Sequence, residues 1–261
     1  MFGRTRHAND GGRTQAERLR LTLPRLIIGS MSQGLRFLPL AVVICASLIG
    51  DTGSAQSVSA SLPTVARLHY DGGGDWYANP SSLPNLLGSV SEWTDLRVAA
   101  RPAEVRLLDP DLGDYPYLYM TGHGNVRFSD SEIERLRVYL DGGGFLHIDD
   151  NYGMDSSARR EISRLFPERQ LVEVPLDHPI YSIVFSFPEG LPKVHEHDGL
   201  PARGFGVFID GRLALFYSWQ SDLGDGWEDA SVHGDPDDVR IAALEMGVNL
   251  FVYALTSSGA G

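Results

Sequence analysis

Cysteine and lysine are almost absent from this sequence of 261 residues. Cys45 is the only cysteine, so the chain cannot form an internal disulfide or a cysteine-rich zinc site. Lys193 is the only lysine, and Asp and Glu outnumber Lys and Arg by 34 to 22, which gives a net charge of -12. Because an acidic chain without a lysine patch repels phosphate backbones, nucleic-acid binding is not expected.

The N-terminal part is basic and carries an apolar run at residues 37–49. The run has 13 residues, fewer than the ~20 that a membrane-spanning helix needs. The small residues Gly53-Ser54-Ala55 follow it, as is typical of a signal-peptide cleavage site. We therefore expect residues 1–55 to be an export leader with a signal peptide, starting at Met1 or at Met31. An uncleaved leader that anchors the protein to the membrane is the alternative.

Residues 56–261 are predicted to form a single exported domain, periplasmic or secreted, with its core at about 63–255. They contain 15 basic and 31 acidic residues. Short apolar runs alternate with amphipathic stretches, a pattern typical of α/β proteins. The predicted fold is a three-layer sandwich with a mainly parallel sheet, followed by a C-terminal β-hairpin and helix.

The elements follow from apolar periodicity and from turn and capping residues. Strands are predicted at 65–70, 97–100, 117–120, 145–148 and 171–174. Helices are predicted from Asn79-Pro80 to Trp93, after a capping box at Ser129–Glu132, over 156–166 and, as an amphipathic helix, over 237–254. Asp210-Gly211 predicts a hairpin between strands 205–209 and 213–218.

Three polar clusters directly follow predicted strands, at residues 71–77, 122–125 and 149–153. Right-handed crossovers between parallel strands place such loops at one edge of a sheet, where ligands bind in open α/β folds. We therefore expect Asp75, His123, and Asp149 or Asp150 to lie within the width of a small-molecule pocket.

These side chains have a chemical and a structural interpretation. His123 lies between two glycines, so a sharp turn could present its imidazole to a ligand or simply be pinned by hydrogen bonds. Asp149 and Asp150 could act as catalytic or ligand carboxylates, or could lock the loop. The further ligand-binding candidates in these clusters are Asp75, Trp76, Tyr77, Asn125 and Asn151. A phosphate loop at 72–74 is disfavoured, because acidic residues flank the three glycines.

A divalent metal is a weaker prediction from the segment His195-Glu196-His197-Asp198. In an extended segment His195 and His197 point the same way, and with Asp198 they could bind zinc or manganese. No helical HExxH spacing supports a metal site here, so ordinary loop histidines remain the alternative. His233 is assigned no role.

Several motifs together resemble the bacterial domain-of-unknown-function family 4159. They are Tyr70-Asp-Gly-Gly-Gly-Asp-Trp-Tyr77, Asn85-Leu-Leu87, Thr121-Gly-His-Gly-Asn-Val-Arg-Phe-Ser129, Leu136-Arg-Val-Tyr-Leu-Asp-Gly-Gly-Gly-Phe-Leu146 with Asp149-Asp150, Asp177-His-Pro179, Phe208-Ile-Asp-Gly-Arg212 and Asp222-Leu-Gly-Asp-Gly-Trp227. The resemblance implies a fold similar to class I glutamine amidotransferases and flavodoxins, and export or membrane attachment, but no reaction.

Amidotransferases of that fold attack glutamine with a cysteine. Cleavage of the leader would remove Cys45, so the mature domain is not expected to be a cysteine-dependent glutaminase. Two hypotheses remain. The first is a ligand-binding or scaffolding module of the cell envelope, which holds a small polar ligand or an envelope protein. The second is a metal- or carboxylate-dependent hydrolase that acts on a carbohydrate or another envelope polymer.

Overall fold

The computed structural model describes residues 61–257. The predicted leader, its start at Met31 and its cleavage site lie outside these residues. The strands are β1 Val65–Leu68, β2 Ala103–Val105, β3 Tyr117–Gly122, β4 Phe145–Asp150, β5 Val172–Glu173, β6 Arg203–Ile209 and β7 Arg212–Trp219. The helices are α1 Ser82–Trp93, α2 Asp130–Asp141, α3 Asp155–Leu165, α4 Leu223–Gly226, α5 Ala230–His233 and α6 Asp237–Ser257.

The seven strands form one sheet in the order β2-β1-β3-β4-β7-β6-β5. The five strands from β2 to β7 in this order are parallel to their neighbours, whereas β6 and β5 pair antiparallel at one end. The mainly parallel sheet and the β6–β7 hairpin are therefore confirmed. Asp210 and Gly211 both have positive φ, 50° and 85°, as a two-residue hairpin turn of the favoured twist requires.

Helices cover both faces of the sheet, and side chains along each strand point alternately to one face and the other. In β3, Leu118 and Met120 pack into a core with α2 and α3. Tyr117 and Tyr119 point to the other face and pack with α1 and α6. This arrangement is the three-layer, flavodoxin-like sandwich that the sequence predicts.

Two predicted elements begin in the wrong place. Residues 97–100 do not form a strand. Among the described residues they make one backbone hydrogen bond to a neighbouring segment, from Ala99 N–H to the Pro63 carbonyl, and this is too few for strand pairing. The edge strand starts only after Pro102, which has no N–H to donate. Helix α1 starts at Ser82, and Asn79 is not its N-cap. Asn79 instead has a φ of 58° and turns its side chain toward the end of the sheet.

Helix α6 is more deeply buried than the predicted amphipathic helix. Residues 246–251 are all buried, because the sheet covers one side and the segment 179–187 covers another. Asn249 bonds to this segment by accepting from Phe185 N–H at 2.8 Å and donating to its carbonyl at 2.8 Å. Among the described residues, α6 is the one helix long and apolar enough to cross a membrane, and 56% of its apolar window is buried in the domain.

Candidate functional site

The carboxyl ends of the parallel strands form one polar edge. The register of β3 and β4 pairs Thr121 with Asp149 and Gly122 with Asp150, so His123 leaves the sheet at the end of β3 next to the end of β4. Strand β7 lies on the other side of β4 and pairs Ser218 with Asp149. The loops after β1, β3, β4 and β7 therefore meet at this edge, which we call the C-terminal edge.

His123 and Asp75 are in direct contact on the solvent-exposed side of the C-terminal edge, and we call this pair the rim. The Asp75 carboxylate accepts from the His123 backbone N–H through one oxygen, and its other oxygen lies 3.0 Å from His123 Nδ1. The imidazole side chain is 54% exposed. No other side chain among the described residues hydrogen-bonds to the His123 ring, so this pair has no serine or cysteine nucleophile beside it.

The three glycines at 72–74 allow one loop to lie against the next. Gly74 N–H donates to the Asn125 carbonyl at 3.0 Å, and the Asn125 side chain donates to the Gly72 carbonyl at 3.0 Å. Gly72 has a φ of 120°, and an added Cβ would lie 2.7 Å from the backbone nitrogen of Arg127. Gly72 and Gly74 thus allow close backbone approach, whereas a Cβ added at Gly73 would meet nothing within 4 Å, and Asn125 holds the loops together.

The two aromatic candidates differ in exposure. Trp76 stacks on His69 with ring centroids 3.9 Å apart, so it packs within the domain. Tyr77 is 64% exposed and lies two residues after Asp75 in the chain. Tyr77 is the more exposed of the two rings, and it contacts Trp76 edge to face with ring centroids 5.7 Å apart.

Asp149 is fully buried beneath the rim. Its carboxylate accepts hydrogen bonds from Tyr119 Oη at 3.1 Å, Ser218 Oγ at 2.5 Å and Gly224 N–H at 2.7 Å. Burial raises the pKa of Asp149 to about 6, although these hydrogen bonds favour the charged form. Asp149 therefore ties β3, β7 and α4 together and is closed to solvent.

Asp150 and Asn151 are also buried, at 2% and 3% exposure. Asp150 accepts from Met154 N–H at 3.0 Å and from Tyr217 Oη at 3.1 Å, which fixes the turn into α3. Burial raises the pKa of Asp150 above its ordinary range. Asn151 faces Asn79 across the edge, with a nitrogen–oxygen distance of 3.5 Å.

A serine, a histidine and an aspartate do meet inside the sheet. Ser218 Oγ lies 2.8 Å from His147 Nε2 and 2.5 Å from Asp149. All three residues have no exposed surface, so a substrate cannot reach the hydroxyl. Burial also lowers the pKa of His147 to about 3, which makes it a poor proton acceptor. This trio is a structural network.

His195 and His197 come together, but with a different carboxylate from the predicted one. His197 Nε2 contacts Asp222 Oδ2, and His195 Nδ1 lies 3.5 Å from the same oxygen. The potential ligand atoms of these three residues lie within 4.8 Å of one another. Asp198 instead accepts from Tyr152 Oη at 2.8 Å and from Gln220 Nε2 at 3.1 Å.

Further imidazole and carboxylate groups continue from this cluster. His195 Nδ1 lies 3.1 Å from Asp225 Oδ2, and His195, Asp225 and His233 form a second group of possible metal ligands within 4.8 Å. His233 also lies 3.3 Å from Glu228. On the opposite side of the His195 ring, Nε2 lies 3.2 Å from Asp235.

The electrostatics of this cluster are unfavourable for negative charge. Burial, reinforced by the charges of Asp149, Asp225 and Asp150, raises the pKa of Asp222 to about 8. Burial and the neighbouring His195 lower the pKa of His197. Asp222 Oδ1 is buried and hydrogen-bonds to none of the residues that the structure describes. Carboxylates in such surroundings require a proton or a cation.

Backbone strain is concentrated around the same cluster. Of the five non-glycine residues with positive φ in the described part of the chain, four lie here: Asn79, Tyr152, Gln220 and Asp222. Asp222 is itself a cluster member, and Tyr152 stacks on His197 with centroids 4.2 Å apart. A left-handed non-glycine residue costs ~1–3 kcal/mol, so the surrounding contacts must hold it.

Asp222, Asp225, Glu228, His233 and Asp235 are site residues that the sequence prediction missed. The available signal was the segment Asp222-Leu-Gly-Asp225, which follows the carboxyl end of β7 as the other polar clusters follow their strands. The sequence prediction treated strands 205–209 and 213–218 as a hairpin outside the parallel sheet. It therefore did not expect the end of β7, which pairs parallel with β4, to lie at the C-terminal edge.

No curated protein matches the chain in sequence. Residues 64–255 match a family whose description is "Domain of unknown function (DUF4159)". The match spans most of the chain and includes every residue of the C-terminal edge discussed above. The chain therefore belongs to the DUF4159 family.

Proposed function

We propose that this protein is an exported, periplasmic or secreted, ligand-binding module of the cell envelope. Its ligand is small and polar, or is a polar segment of an envelope protein partner, and it binds at the rim of the C-terminal edge. The observation that carries the proposal is the exposed His123 imidazole held by Asp75 without a nucleophile.

The rim supplies the groups that a polar ligand needs. The Asp75 carboxylate fixes the His123 ring through the backbone and the side chain, so the ring is oriented before a ligand arrives. Such preorganisation reduces the entropy lost on binding. Tyr77 adds an exposed aromatic surface two residues after Asp75 in the chain.

A cysteine or serine nucleophile is not supported at this rim. Residues 61–257 contain no cysteine, and the buried Ser218 does not reach the rim. We therefore expect the full chain to release no ammonia from glutamine, with or without thiol-alkylating agents. Ammonia release above the buffer rate, abolished by His123→Ala, would contradict the binding-module proposal.

Binding is tested by calorimetry and by NMR titration of the His123 ring with a panel of neutral sugars, amino sugars, amino acids and dicarboxylates. We expect at least one class to bind and to shift the ring signal, and we expect Asp75→Asn and His123→Gln to weaken that binding by about tenfold. Asp95→Asn, an exposed carboxylate far from the rim, is the matched control. Binding that is equally strong in all three variants would place the ligand elsewhere and contradict the proposal.

A metal-dependent hydrolase is the second candidate, favoured by the close approach of His195, His197 and Asp222. It predicts turnover of model glycosides or esters that depends on zinc or manganese and is lost with a chelator. It also predicts that the metal keeps an open position for water. If metal-loaded protein turns over none of these substrates, with or without a chelator, the result would favour the binding module.

A further inference from the structure

We propose that His195, His197, Asp222 and Asp225 form a four-coordinate zinc site that holds two loops against the C-terminal edge. The inference rests on the proposed function only in assigning this edge to binding. It concerns different residues from the His123 rim. The two loops are the segment 192–198 and the segment 220–235.

The distances from His195 to the two carboxylates are close to those between neighbouring ligands of a tetrahedral ion. Zinc bound to nitrogen and oxygen at about 2.0–2.1 Å places neighbouring ligand atoms about 3.3 Å apart. His195 Nδ1 lies 3.1 Å from Asp225 Oδ2 and 3.5 Å from Asp222 Oδ2. His197 Nε2 approaches the same Asp222 oxygen from another side.

The groups around the four ligands are those that orient metal ligands. A metal-bound histidine usually donates its other ring N–H to a carboxylate, and His195 Nε2 lies 3.2 Å from Asp235. The Asp225 oxygen that faces away from His195 accepts from Asn79 at 2.6 Å. Tyr152 stacks on the His197 ring and is itself hydrogen-bonded to Asp198.

One carboxylate oxygen of Asp222 lacks a hydrogen-bond partner among the described residues, although the other oxygen contacts His197 and His195. Its side chain is 1% exposed, and Oδ1 hydrogen-bonds to no group in residues 61–257. Its backbone is held at a φ of 57°. Lys193, the only lysine of the chain, instead reaches the carbonyls of Leu200 and Gln220. A buried carboxylate oxygen without a partner is unfavourable, and a bound cation would compensate for it.

The ligand set favours zinc over the hard cations. Two imidazoles with two carboxylates suit zinc or a similar transition ion, whereas magnesium and calcium prefer sites made wholly of oxygen. Four protein ligands also leave no open position, which is typical of a structural zinc site and agrees with a binding module.

The test uses the full chain with a histidine-free affinity tag, stripped of metal and then titrated with zinc in competition with a chromophoric chelator. We expect one zinc per chain. His197→Ala, Asp222→Asn and Asp225→Asn should each weaken zinc binding by about 100-fold or more, since even supporting residues cost 10–100-fold. Glu196→Gln, the matched control, alters a carboxylate that is 73% exposed on the same segment and should weaken zinc binding by less than about tenfold.

Cobalt substitution and X-ray absorption of the zinc-loaded wild-type chain test the site without variants, in case a variant fails to fold. We expect the strong visible bands of a four-coordinate cobalt ion and a zinc shell of nitrogen and oxygen with two imidazoles. Sulfur in the shell, no imidazole, or no stoichiometric zinc in the wild-type chain would overturn the proposal. Wild-type zinc affinity in the Asp222→Asn and His197→Ala variants would overturn it equally.

The rim and the zinc site can fail separately. If the chain binds no member of the polar panel but still binds zinc, and His123→Gln leaves zinc binding unchanged, the proposed function is refuted and the zinc site stands. Panel binding in a chain that takes up no zinc would refute the zinc site alone.

Discussion

His147 lies in the middle of the sheet, with no exposed surface. Its ring lies 2.9 Å from Tyr117 Oη and 2.8 Å from Ser218 Oγ, so both ring nitrogens are engaged while the imidazole is neutral. Burial lowers its pKa to about 3 in the folded protein, against roughly 6.5 in an unfolded chain. Between about pH 3 and pH 6.5, His147 therefore binds a proton in the unfolded state but not in the folded state.

We expect His147→Gln to lose this pH dependence. With the folded pKa below the unfolded one, the stability from His147 is fully present above pH 6.5 and falls as pH drops toward 3. Glutamine keeps one donor and one acceptor but does not titrate in this range. The variant should be less stable than wild type at pH 7, by a margin that shrinks by about 2.5 kcal/mol at pH 4.5.

Urea unfolding followed by tryptophan fluorescence at pH 7 and pH 4.5 measures that margin. The difference must be taken between variant and wild type, because the raised pKa of Asp149 acts in the opposite direction over part of this range. An equal margin at both pH values would contradict the argument.

Gly224 is a second residue whose role depends on contact. An added Cβ would overlap the Tyr119 hydroxyl and lie 2.7 Å from Asn79 Nδ2 and 3.0 Å from Asp149 Oδ2. These side chains are buried, and Tyr119 and Asn79 donate hydrogen bonds to Asp149 and Asp225, so they cannot move aside freely. We therefore expect Gly224→Ala to lower the free energy of unfolding by about 2 kcal/mol. Thermal and urea unfolding measure it.

Gly88, in the middle of α1, is the matched control for that substitution. Apart from its chain neighbours and the backbone of α1 itself, no atom of the described residues lies within 4 Å of a Cβ built there. Gly88→Ala should raise the free energy of unfolding by about 0.5–1 kcal/mol, because alanine is the better helix former. Effects of the same sign in the two variants would show that packing at Gly224 is not the cause.

At the scale of elements, α2 shows how far local sequence signals reach. Ser129 Oγ accepts from Glu132 N–H at 3.3 Å, and Glu132 Oε2 accepts from Ser129 N–H at 2.8 Å, so the predicted capping box is present. The helix then ends at the predicted glycines. These signals succeed because each involves residues within one turn of each other.

Ser129→Ala should lower the free energy of unfolding by about 1 kcal/mol, since an orphan N–H of α2 loses its acceptor. Ser156→Ala, an exposed serine in the first turn of α3, is the control and should change it by less than about 0.5 kcal/mol. Chemical denaturation of the three proteins tests this. Equal values for Ser129→Ala and wild type would mean that the capping box adds nothing measurable.

Elements that depend on distant partners were not predictable in the same way. Asn79 has the local features of a helix N-cap, but its side chain is drawn to Asp225, 146 positions along the chain. The edge strand β2 is defined by its pairing with β1 rather than by its own apolar pattern. The short helices α4 and α5 bring Asp225 and His233 toward His195, and no periodicity marks helices of four residues.

At the scale of the whole molecule, the export prediction concerns residues outside 61–257. We expect protein isolated from the envelope fraction to begin near Gln56, because Gly53-Ser54-Ala55 follows the apolar run. Intact-mass analysis measures the N-terminus. A species that retains residues 37–49, or protein found in the cytosol alone, would contradict cleavage.

The sequence by itself determined the α/β class, the mainly parallel sheet and the hairpin, because period, caps and turn residues act over a few positions. It also placed Asp75, His123, Asp149 and Asp150 after strands, and parallel topology sends those ends to one edge. Only the tertiary structure decided which of these groups touch. It buried Asp149, left His123 exposed, and gave His195 and His197 the carboxylate of Asp222 rather than that of Asp198. Such choices depend on contacts between segments far apart in the chain, and burial and charge at those contacts are absent from any local pattern.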